Sequence, residues 1–180
     1  MIERFLPLLR LKESSILRPF DCTKADLNDF LFNDAKGHLA ELLAVTYFID
    51  DGEEIVAYFS VLNDSIRQED LTHGRLRRIF GPIRYKYTSH PAVKVGRLAV
   101  NKNYQSLGIG SELIDYIKGY FLDNNKTGCR FITVDADNDP RTLQFYKRNG
   151  FDYLTESDKN DSNRLMYFDL IQYAPYVNTS

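Results

Sequence analysis

Apolar and polar residues along the chain follow two periods, one typical of strands and one typical of helices. Short segments rich in β-branched and aromatic residues, bounded by polar turns, predict strands. These segments are Leu8–Lys12, Val45–Asp50, Glu54–Leu62, Val93–Val100, Phe131–Asp135, Phe151–Leu154 and Arg164–Leu170. We expect the last two to form an antiparallel pair.

The helical period is clearest after the fourth strand. Within Gly108–Leu122, the apolar residues share one face of a helix and the charged residues lie elsewhere; the apolar face comprises Leu113, Ile114, Ile117 and Phe121. A second helix is predicted over Pro140–Asn149, because Asp139 suits the N-cap, proline suits the first turn and Gly150 suits a left-handed C-cap.

An earlier helix is predicted near the start of the chain. Thr23-Lys24-Ala25-Asp26 has the form of a capping box, and the helix behind it places Leu27, Phe30 and Leu31 on one face. Asp51-Gly52 predicts a two-residue hairpin turn, and residues 63–90 predict a long connection with one short helix.

The order of these elements, β-α-β-β-β-α-β-α-β-β, indicates an α+β fold, a mixed α/β layer in which helices cover a central sheet. No repeat or linker divides the chain, so we expect one domain over residues 1–180.

Composition excludes several classes of protein. Hydrophobic residues make up 43% and charged residues 27%, and no apolar run is long enough to span a membrane. The first residues lack a secretory apolar core, so we expect a cytoplasmic protein. The two cysteines, Cys22 and Cys129, have no metal or redox spacing and are expected to be reduced, and the three histidines are scattered, so we expect no metal site.

The segment between the fourth strand and its helix carries the candidate chemistry. Gln105-Ser106-Leu107-Gly108-Ile109-Gly110 is a glycine-bearing turn that opens a helix, where unpaired N–H groups and the helix dipole favour an anion. A dinucleotide fingerprint would need glycine at Leu113, and a P-loop would need lysine after Gly110, so both motifs are excluded. A glycine turn that merely caps a helix is the other interpretation.

Two motifs resemble those of the GNAT superfamily of N-acetyltransferases. The turn Gln105–Gly110 is similar to that family's pyrophosphate motif, Gln/Arg-x-x-Gly-x-Gly/Ala. Phe145-Tyr146-Lys147-Arg148-Asn149-Gly150-Phe151 resembles the second signature, a helix that ends in Phe-Tyr-x-x-x-Gly-Phe. The resemblance covers nearly the whole chain and implies the GNAT fold, in which the two central strands, here Val93–Val100 and Phe131–Asp135, splay apart.

The resemblance also implies acetyl-coenzyme A as the cofactor and a set of residues that bind it. In the loop these residues are Gln105, Ser106, Leu107, Gly108, Ile109, Gly110 and Ser111, and the main chain of Leu98, Ala99 and Val100 would pair with the pantetheine. The family often has asparagine seven residues before its tyrosine; here Asp139 stands there and Asn138 precedes it, and both are candidates.

Tyr146 occupies the position of the family's general acid, which protonates the leaving thiolate. The alternative interpretation is that Tyr146 is only a core aromatic residue on a helix, which is the usual role of a tyrosine in a chain that has 12 of them. No general base stands out. His90, near the start of the central strand, and Asp135, near a strand end, are the candidates, and an amine of low pKa would need none.

Charge is distributed unevenly although its net value is −2. From Leu71 to Ser111 there are eight basic residues and no acidic one, which indicates a positive surface for a polyanion. The residues predicted to bind substrate are Arg75, Arg77, Arg78, Arg84, Lys86 and Arg97. Alternatively, these cations serve the cofactor's phosphates and otherwise face solvent.

A narrower likeness concerns the acceptor. Phe20-Asp21-Cys22, Gly96-Arg97-Leu98-Ala99-Val100 and Val134-Asp135-Ala136 resemble a GNAT branch that includes toxins of toxin–antitoxin pairs. That branch implies transfer of acetyl to the amino group of aminoacyl-tRNA, with an antitoxin and a second copy of the chain as partners, although such toxins are usually basic overall. The alternatives are an N-acetyltransferase for small molecules or proteins, and a non-catalytic module that binds acetyl-coenzyme A or nucleic acid.

Overall fold

The computed structural model describes residues 7–71, 87–125 and 127–174, and these residues form seven strands and two longer helices with several short ones. The strands are β1 (Leu8–Arg10), β2 (Val45–Asp50), β3 (Ile55–Arg67), β4 (Ser89–Val100), β5 (Phe131–Asp137), β6 (Asp152–Tyr153) and β7 (Asn163–Asp169). The helices are α1 (Ala25–Asp29), α2 (Ala35–Ala40), α3 (Ile109–Leu122) and α4 (Pro140–Arg148). A π-helical stretch, Phe30–Asp34, joins α1 to α2, and short 3₁₀ turns lie at Gln68–Asp70, Lys102–Tyr104, Asp123–Asn125 and Leu170–Gln172.

The strands form a mixed sheet in the order β1-β2-β3-β4-β5-β7-β6. β1 with β2, β2 with β3, β5 with β7 and β6 with β7 are antiparallel, whereas β4 and β5 are parallel. The β4–β5 ladder has three residue pairs and ends with Lys94 opposite Thr133. This arrangement confirms the predicted α+β class and the antiparallel terminal pair.

The chain divides into two compact units. One contains the chain up to Leu62 together with Val95–Asp115, and the other contains Asn63–Lys94 and the chain from Tyr116 onward. Strands β3 and β4 each contribute residues to both units. Among the described residues, no helix has the length and apolar character needed to cross a membrane.

The first unit packs the N-terminal helices on its part of the sheet. Tyr58 on β3 is fully buried, stacks on Phe30 with ring centroids 6.3 Å apart, and donates its hydroxyl hydrogen bond to the carbonyl of Leu27. The carbonyl of Leu27, which lies in α1 just before the π-helical stretch, thus accepts a hydrogen bond from a strand residue. The core of this unit comprises Leu11, Phe20, Cys22, Phe30, Leu31, Ala35, Phe48, Ile55, Tyr58 and Ala99.

The second unit contains a separate apolar cluster on one face of its strands. Its members come from β3, β4, β5 and β7 and from the loops beside them: Ile66, Leu71, Ala92, Phe131, Leu154 and Tyr167. On the other face, Phe168 contacts Phe151, with ring centroids 5.7 Å apart. Because strand residues alternate between faces, this unit buries both surfaces of its central strands.

Three local predictions are wrong. Thr23 is not an N-cap, since it takes a left-handed backbone (φ 72°) and its N–H donates to the Asp21 carboxylate; Lys24 precedes the helix without a side-chain cap. The hairpin after β2 has four residues rather than two, because the carboxylate of Asp51 accepts from the N–H groups of Glu53 and Glu54.

The third correction concerns residues 63–90, predicted as one long connection. Strand β3 continues to Arg67 and β4 begins at Ser89, so strand takes up part of both ends of that segment. The polar run Asn63-Asp64-Ser65 lies within β3, where Asp64 accepts a hydrogen bond from the hydroxyl of Thr133 at 2.5 Å.

We predict that Gly150→Ala destabilises the protein by about 1 to 2 kcal/mol, because Gly150 has a left-handed backbone (φ 82°) that alanine adopts at that cost. A Cβ there would also lie 3.0 Å from Cε2 of Phe168. Gly37→Ala is the control, since Gly37 lies in α2 and, apart from its own helix backbone and chain neighbours, no atom of the described residues lies within 4 Å of the added carbon; it should stabilise the helix slightly. Denaturant unfolding of both variants tests this; equal effects of the two would contradict it.

Candidate functional site

The loop between β4 and α3 is fixed first by the side chain of Gln105. Its Nε2 donates to the carbonyl of Cys22 at 3.2 Å and to the carbonyl of Val100 at 3.1 Å. The amide nitrogen therefore joins the end of β4 to the segment that precedes α1. Gln105, predicted to bind cofactor, has its side-chain donor engaged inside the protein.

A second brace comes from Asp21. Its carbonyl accepts from the N–H of Lys102 at 2.8 Å, and its carboxylate accepts from Nζ of the same lysine at 2.9 Å. The bond from Lys102, followed by those from Thr23 and Asn28, lowers the pKa of Asp21 to about 2. The carboxylate therefore stays ionised, and this contact persists, over the whole neutral range.

The loop of the β2–β3 hairpin braces the other side. Asn101 is buried, and its Nδ2 donates to the carboxylate of Glu54 at 2.9 Å and to the carbonyl of Ile55 at 3.0 Å. The hydroxyl of Tyr104 donates to the carboxylate of Asp51. Backbone N–H donors, Glu54 first, and the Tyr104 hydroxyl lower the pKa of Asp51 to about 2, and this carboxylate raises the pKa of Tyr104 to about 12.

The turn itself has two left-handed residues, Ser106 (φ 67°) and Gly108 (φ 87°). The N–H groups of Ser111 and Glu112 both donate to the carbonyl of Gly108, at 3.0 and 3.2 Å. N–H groups ahead of the first helical bond have no carbonyl one turn back to accept them. Alternation of backbone conformation at a helix start makes a concave set of N–H donors that suits a phosphate.

Access to this set of donors is open. Ser106, Leu107 and Gly108 are exposed, and Leu107 has 66% of its surface accessible. Among the described residues, no heavy atom outside its chain neighbours lies within 4 Å of the position that a Cβ of Gly108 would take. The predicted residues Ile109, Gly110 and Ser111 are half-buried in the first turn of α3. The local geometry therefore fits a diphosphate group.

The predicted strand residues lie at the end of β4. Ala99 is buried in the core of the first unit, whereas Leu98 and Val100 are half-buried on the opposite face. Arg97 is exposed; its guanidinium carbon lies 5.1 Å above the ring of Phe30 and its Nη1 donates to the carbonyl of Gly96. Arg97 thus lies on the surface of the first unit, and its cation–π contact holds it there.

In the second unit, the caps of α4 are those that the sequence predicts. The carboxylate of Asp139 accepts from the N–H groups of Arg141 and Thr142 at 3.0 Å each. Gly150 ends the helix with φ 82°. Asn138 instead donates from Nδ2 to the carbonyls of Lys159 and Asp161, at 3.0 and 2.7 Å. Its amide nitrogen therefore holds the β6–β7 loop, and only its oxygen is left for a ligand.

Tyr146 is buried on α4 between two aromatic rings. Ring centroids of Phe145 and Phe151 lie 5.1 and 5.4 Å from its own, both in edge-on contact. Burial, and then the negative charge of Asp137, raises the pKa of Tyr146 well above its usual value. The hydroxyl bonds to no other described residue, so at neutral pH it is a protonated donor in an apolar environment, as a general acid requires.

The two base candidates differ in environment. His90 is buried at the start of β4, and burial together with the charge of Arg130 lowers its pKa. Asp135 is more than half exposed and its carboxylate lies 2.9 Å from Nζ of Lys94. Five of the residues predicted to bind substrate, Arg75, Arg77, Arg78, Arg84 and Lys86, lie outside the described residues.

Comparison with known families decides the assignment. Residues 44–153 match the model of the acetyltransferase (GNAT) domain, a segment that includes the anion-binding turn and Tyr146. The chain belongs to the GNAT family. The matched domain is an acetyltransferase domain.

Individual relatives agree with this assignment. A 61-residue segment is 34% identical to the tRNA(Met) cytidine acetyltransferase TmcA of Haemophilus ducreyi; it covers 33% of this chain and 10% of that protein, so the chain spans about a tenth of the length of the curated relative it matches. The structure of AtaT complexed with acetyl-methionyl-tRNAfMet superposes with a TM-score of 0.78 at 19% identity, covering 95% of this chain and 98% of that one. A tyrosine-to-phenylalanine mutant of the toxin AtaT bound to the C-terminus of the antitoxin AtaR gives 0.77 at 18% identity, covering 97% and 98%. These structures share the fold.

We predict that Gly108→Glu abolishes binding of acetyl-coenzyme A, because the new carboxylate would lie against the diphosphate. Gly128→Glu is the matched control: Gly128 (φ 69°) also has a left-handed backbone, and no other described residue lies within 4 Å of an added Cβ, but it lies in the second unit and outside the turn. Both changes carry similar backbone strain, so calorimetric titration should show lost affinity for the first variant alone. Retained affinity in Gly108→Glu would refute the proposed pocket.

Proposed function

We propose that this acetyltransferase transfers acetyl from acetyl-coenzyme A to the amino group of aminoacyl-tRNA. The observation that carries the proposal is the charge distribution, since eight basic residues and no acidic residue lie between Leu71 and Ser111. Lys94 and Lys102 pair with Asp135 and Asp21, and the remaining six still exceed what the phosphates of one coenzyme A engage and suit a polyanionic acceptor. Among proteins of the same fold, AtaT has been solved in complex with acetyl-methionyl-tRNAfMet, which supports the choice of acceptor.

The amine chemistry supports the same acceptor. The amino group of an aminoacyl ester has a lowered pKa, so a useful fraction is neutral at physiological pH and needs no strong base. Of the two base candidates, His90 is buried beside a cation and Asp135 is paired with Lys94. Such an acceptor would also place the reaction in the cytoplasm.

The proposed roles of the residues combine the family resemblance with the local geometry of each residue. The turn Leu107–Ser111 binds the diphosphate through the N–H groups of Leu107–Gly110, since that of Ser111 donates to the carbonyl of Gly108. Gln105 and Ser106 shape the turn, and the main chain of Leu98, Ala99 and Val100 pairs with the pantetheine. Acetyl-coenzyme A supplies the activated thioester. Tyr146 donates its phenolic proton to the sulfur as the C–S bond breaks and the N–C bond forms. Asp139 caps the helix that carries Tyr146, and Asn138 offers only its oxygen to the pantetheine.

The wider surroundings are also part of the proposal. Residues 1–180 act as one GNAT domain, and Arg97 with the basic residues of 75–86 contacts the phosphates of the acceptor. An antitoxin protein is a proposed partner, supported by the AtaT–AtaR complex of the same fold, and a second copy of the chain is another. An N-acetyltransferase for small molecules or proteins is the alternative function.

We predict that Tyr146→Phe lowers kcat by about 100-fold or more, which is the usual contribution of a general acid, and leaves KM for acetyl-coenzyme A unchanged. Tyr120→Phe is the control, because Tyr120 lies on α3 with its ring stacked on Tyr116 at 5.9 Å, away from any proposed role. Steady-state kinetics with release of free coenzyme A measures both. A Tyr146→Phe enzyme with normal kcat would refute the acid role.

The choice of acceptor is tested by a panel of charged tRNAs, uncharged tRNA, polyamines, amino acids and peptides with labelled acetyl-coenzyme A. We expect label on the aminoacyl group, and a kcat/KM that falls steeply as salt rises, because the basic residues release counterions when they bind phosphates. Faster labelling of peptides or polyamines would support the alternative. Slow hydrolysis alone, with no acceptor labelled, would contradict both.

A further inference from the structure

Lys118, on α3, is a lysine that the fold of the second unit buries. Charged residues of this helix are expected outside its apolar face, yet only 4% of the surface of Lys118 is exposed. Lysine is rarely buried to this extent unless specific contacts hold its charge, because the ammonium loses most of its hydration. The contacts of Lys118 therefore indicate what a cation does at this position.

The ammonium of Lys118 contacts one carbonyl and two aromatic rings. Nζ donates to the carbonyl of Asn149 at 2.9 Å. It also lies 4.5 Å from the ring centroid of Phe168 and 5.3 Å from that of Tyr173, both within the range of a cation–π contact. Contacts to the end of α4, to β7 and to the turn after β7 thus fix the position of the ammonium.

The carbonyl that Lys118 binds belongs to the residue that caps the C-terminus of α4. The last carbonyls of a helix have no intrahelical donor, and a cation beside them also interacts favourably with the helix dipole. Asn149 is itself bonded back to the helix, since its N–H donates to the carbonyl of Tyr146 at 3.1 Å and its Nδ2 to that of Phe145 at 2.9 Å. Lys118 therefore holds the last turn of α4, which carries Tyr146.

A second path from Lys118 to Tyr146 runs through aromatic rings. The ring of Phe168, which contacts the ammonium, has its centroid 5.7 Å from that of Phe151. The ring of Phe151 is in edge-on contact with that of Tyr146 at 5.4 Å, and the N–H of Phe151 donates to the carbonyl of Tyr146 at 3.0 Å. Both the ring and the main chain of Phe151 therefore contact Tyr146, and Phe168 connects them to Lys118.

We propose that Lys118 is a positioning residue for Tyr146, whose hydroxyl it directs by fixing the end of α4 and the ring of Phe151. This inference rests on the proposed acid role of Tyr146 and adds a residue outside both signature motifs. Proton donation depends on the direction of the donor, and a displacement of about 1 Å can lower a rate by about 100-fold. The packing of the Tyr146 ring and the last turn of α4 set that direction.

The alternative is that Lys118 only stabilises the fold. Replacing a buried charged group by an apolar side chain of similar volume is often neutral for stability, so Lys118→Met removes the charge and the donor with little change in volume. If Lys118 acts through Tyr146, its loss should matter only while the phenolic hydroxyl is present. A double-mutant cycle of Lys118→Met with Tyr146→Phe separates the two interpretations.

The experiment measures release of free coenzyme A from acetyl-coenzyme A by the full chain, with charged tRNA and without any acceptor, since hydrolysis breaks the same C–S bond. We expect Lys118→Met to lower kcat by about 10-fold in the native chain, but by less than about 2-fold when Tyr146→Phe is also present. KM for acetyl-coenzyme A should stay unchanged. Lys36→Met is the matched control, because it removes lysine bonds to the carbonyls of Glu13 and Ser15, at 2.9 and 2.8 Å, in the first unit; it should leave kcat unchanged.

A second variant covers the case in which Lys118→Met does not fold. Phe168→Leu removes the aromatic path and keeps the hydrogen bond from Lys118 to Asn149, so it should show the same dependence on Tyr146 with a smaller loss of kcat. Labelling the chain with meta-fluorotyrosine gives a readout independent of turnover. The fluorine resonance that disappears in Tyr146→Phe should shift in Lys118→Met and stay in place in Lys36→Met.

The outcomes distinguish this role of Lys118 from the proposed function. Equal losses of kcat with and without Tyr146→Phe, a native kcat in Lys118→Met, or an unshifted fluorine resonance would each overturn the inference and leave the proposed function intact. A normal kcat in Tyr146→Phe would refute the acid role and this inference with it. If release without an acceptor follows the expected pattern but charged tRNA is not acetylated, the tRNA acceptor is refuted and the role of Lys118 stands.

Discussion

The proposed function of this chain depends on keeping a short run of backbone N–H groups exposed and fixed at the start of one helix. Ser106 and Gly108 take left-handed conformations that no strand or helix would impose. A loop held only by its ends would sample many conformations and would lose entropy on binding. Here Asp21, Gln105, Asn101 and Tyr104 hold it from both sides, so its donors are ordered before a ligand arrives.

Two polar side chains that the resemblance assigns to the cofactor, those of Gln105 and Asn138, are used inside the protein. The amide nitrogen of Gln105 binds two carbonyls, and that of Asn138 binds two carbonyls of the β6–β7 loop. In both cases the side chain fixes the main chain near it. A motif residue near a ligand site is thus not always a ligand residue, and the main chain it positions is the more direct contact.

Local signals carried much of the prediction. The α3 face with Leu113, Ile117 and Phe121, the caps of α4 at Asp139 and Gly150, and the bounds of β2 were all predictable, because each depends on residues a few positions apart. The hairpin length was not predictable, because it depends on the hydrogen bonds that the carboxylate of Asp51 accepts from the N–H groups of Glu53 and Glu54. The length of β3 was also missed, because the polar run at Asn63–Ser65 resembles a loop until Thr133, 69 positions away from Asp64, supplies a partner. The ion pair of Lys94 with Asp135 likewise depends on strand order, which no short motif encodes.

The hairpin loop between β2 and β3 has a consequence for protein engineering. Tips of surface hairpins usually accept inserted peptides, and an affinity tag would ordinarily be placed at a glycine such as Gly52. In this chain the neighbours of that glycine, Asp51 and Glu54, hold Tyr104 and Asn101. An insertion there would loosen a loop 50 positions further along the chain, so tags and reporter fusions belong elsewhere.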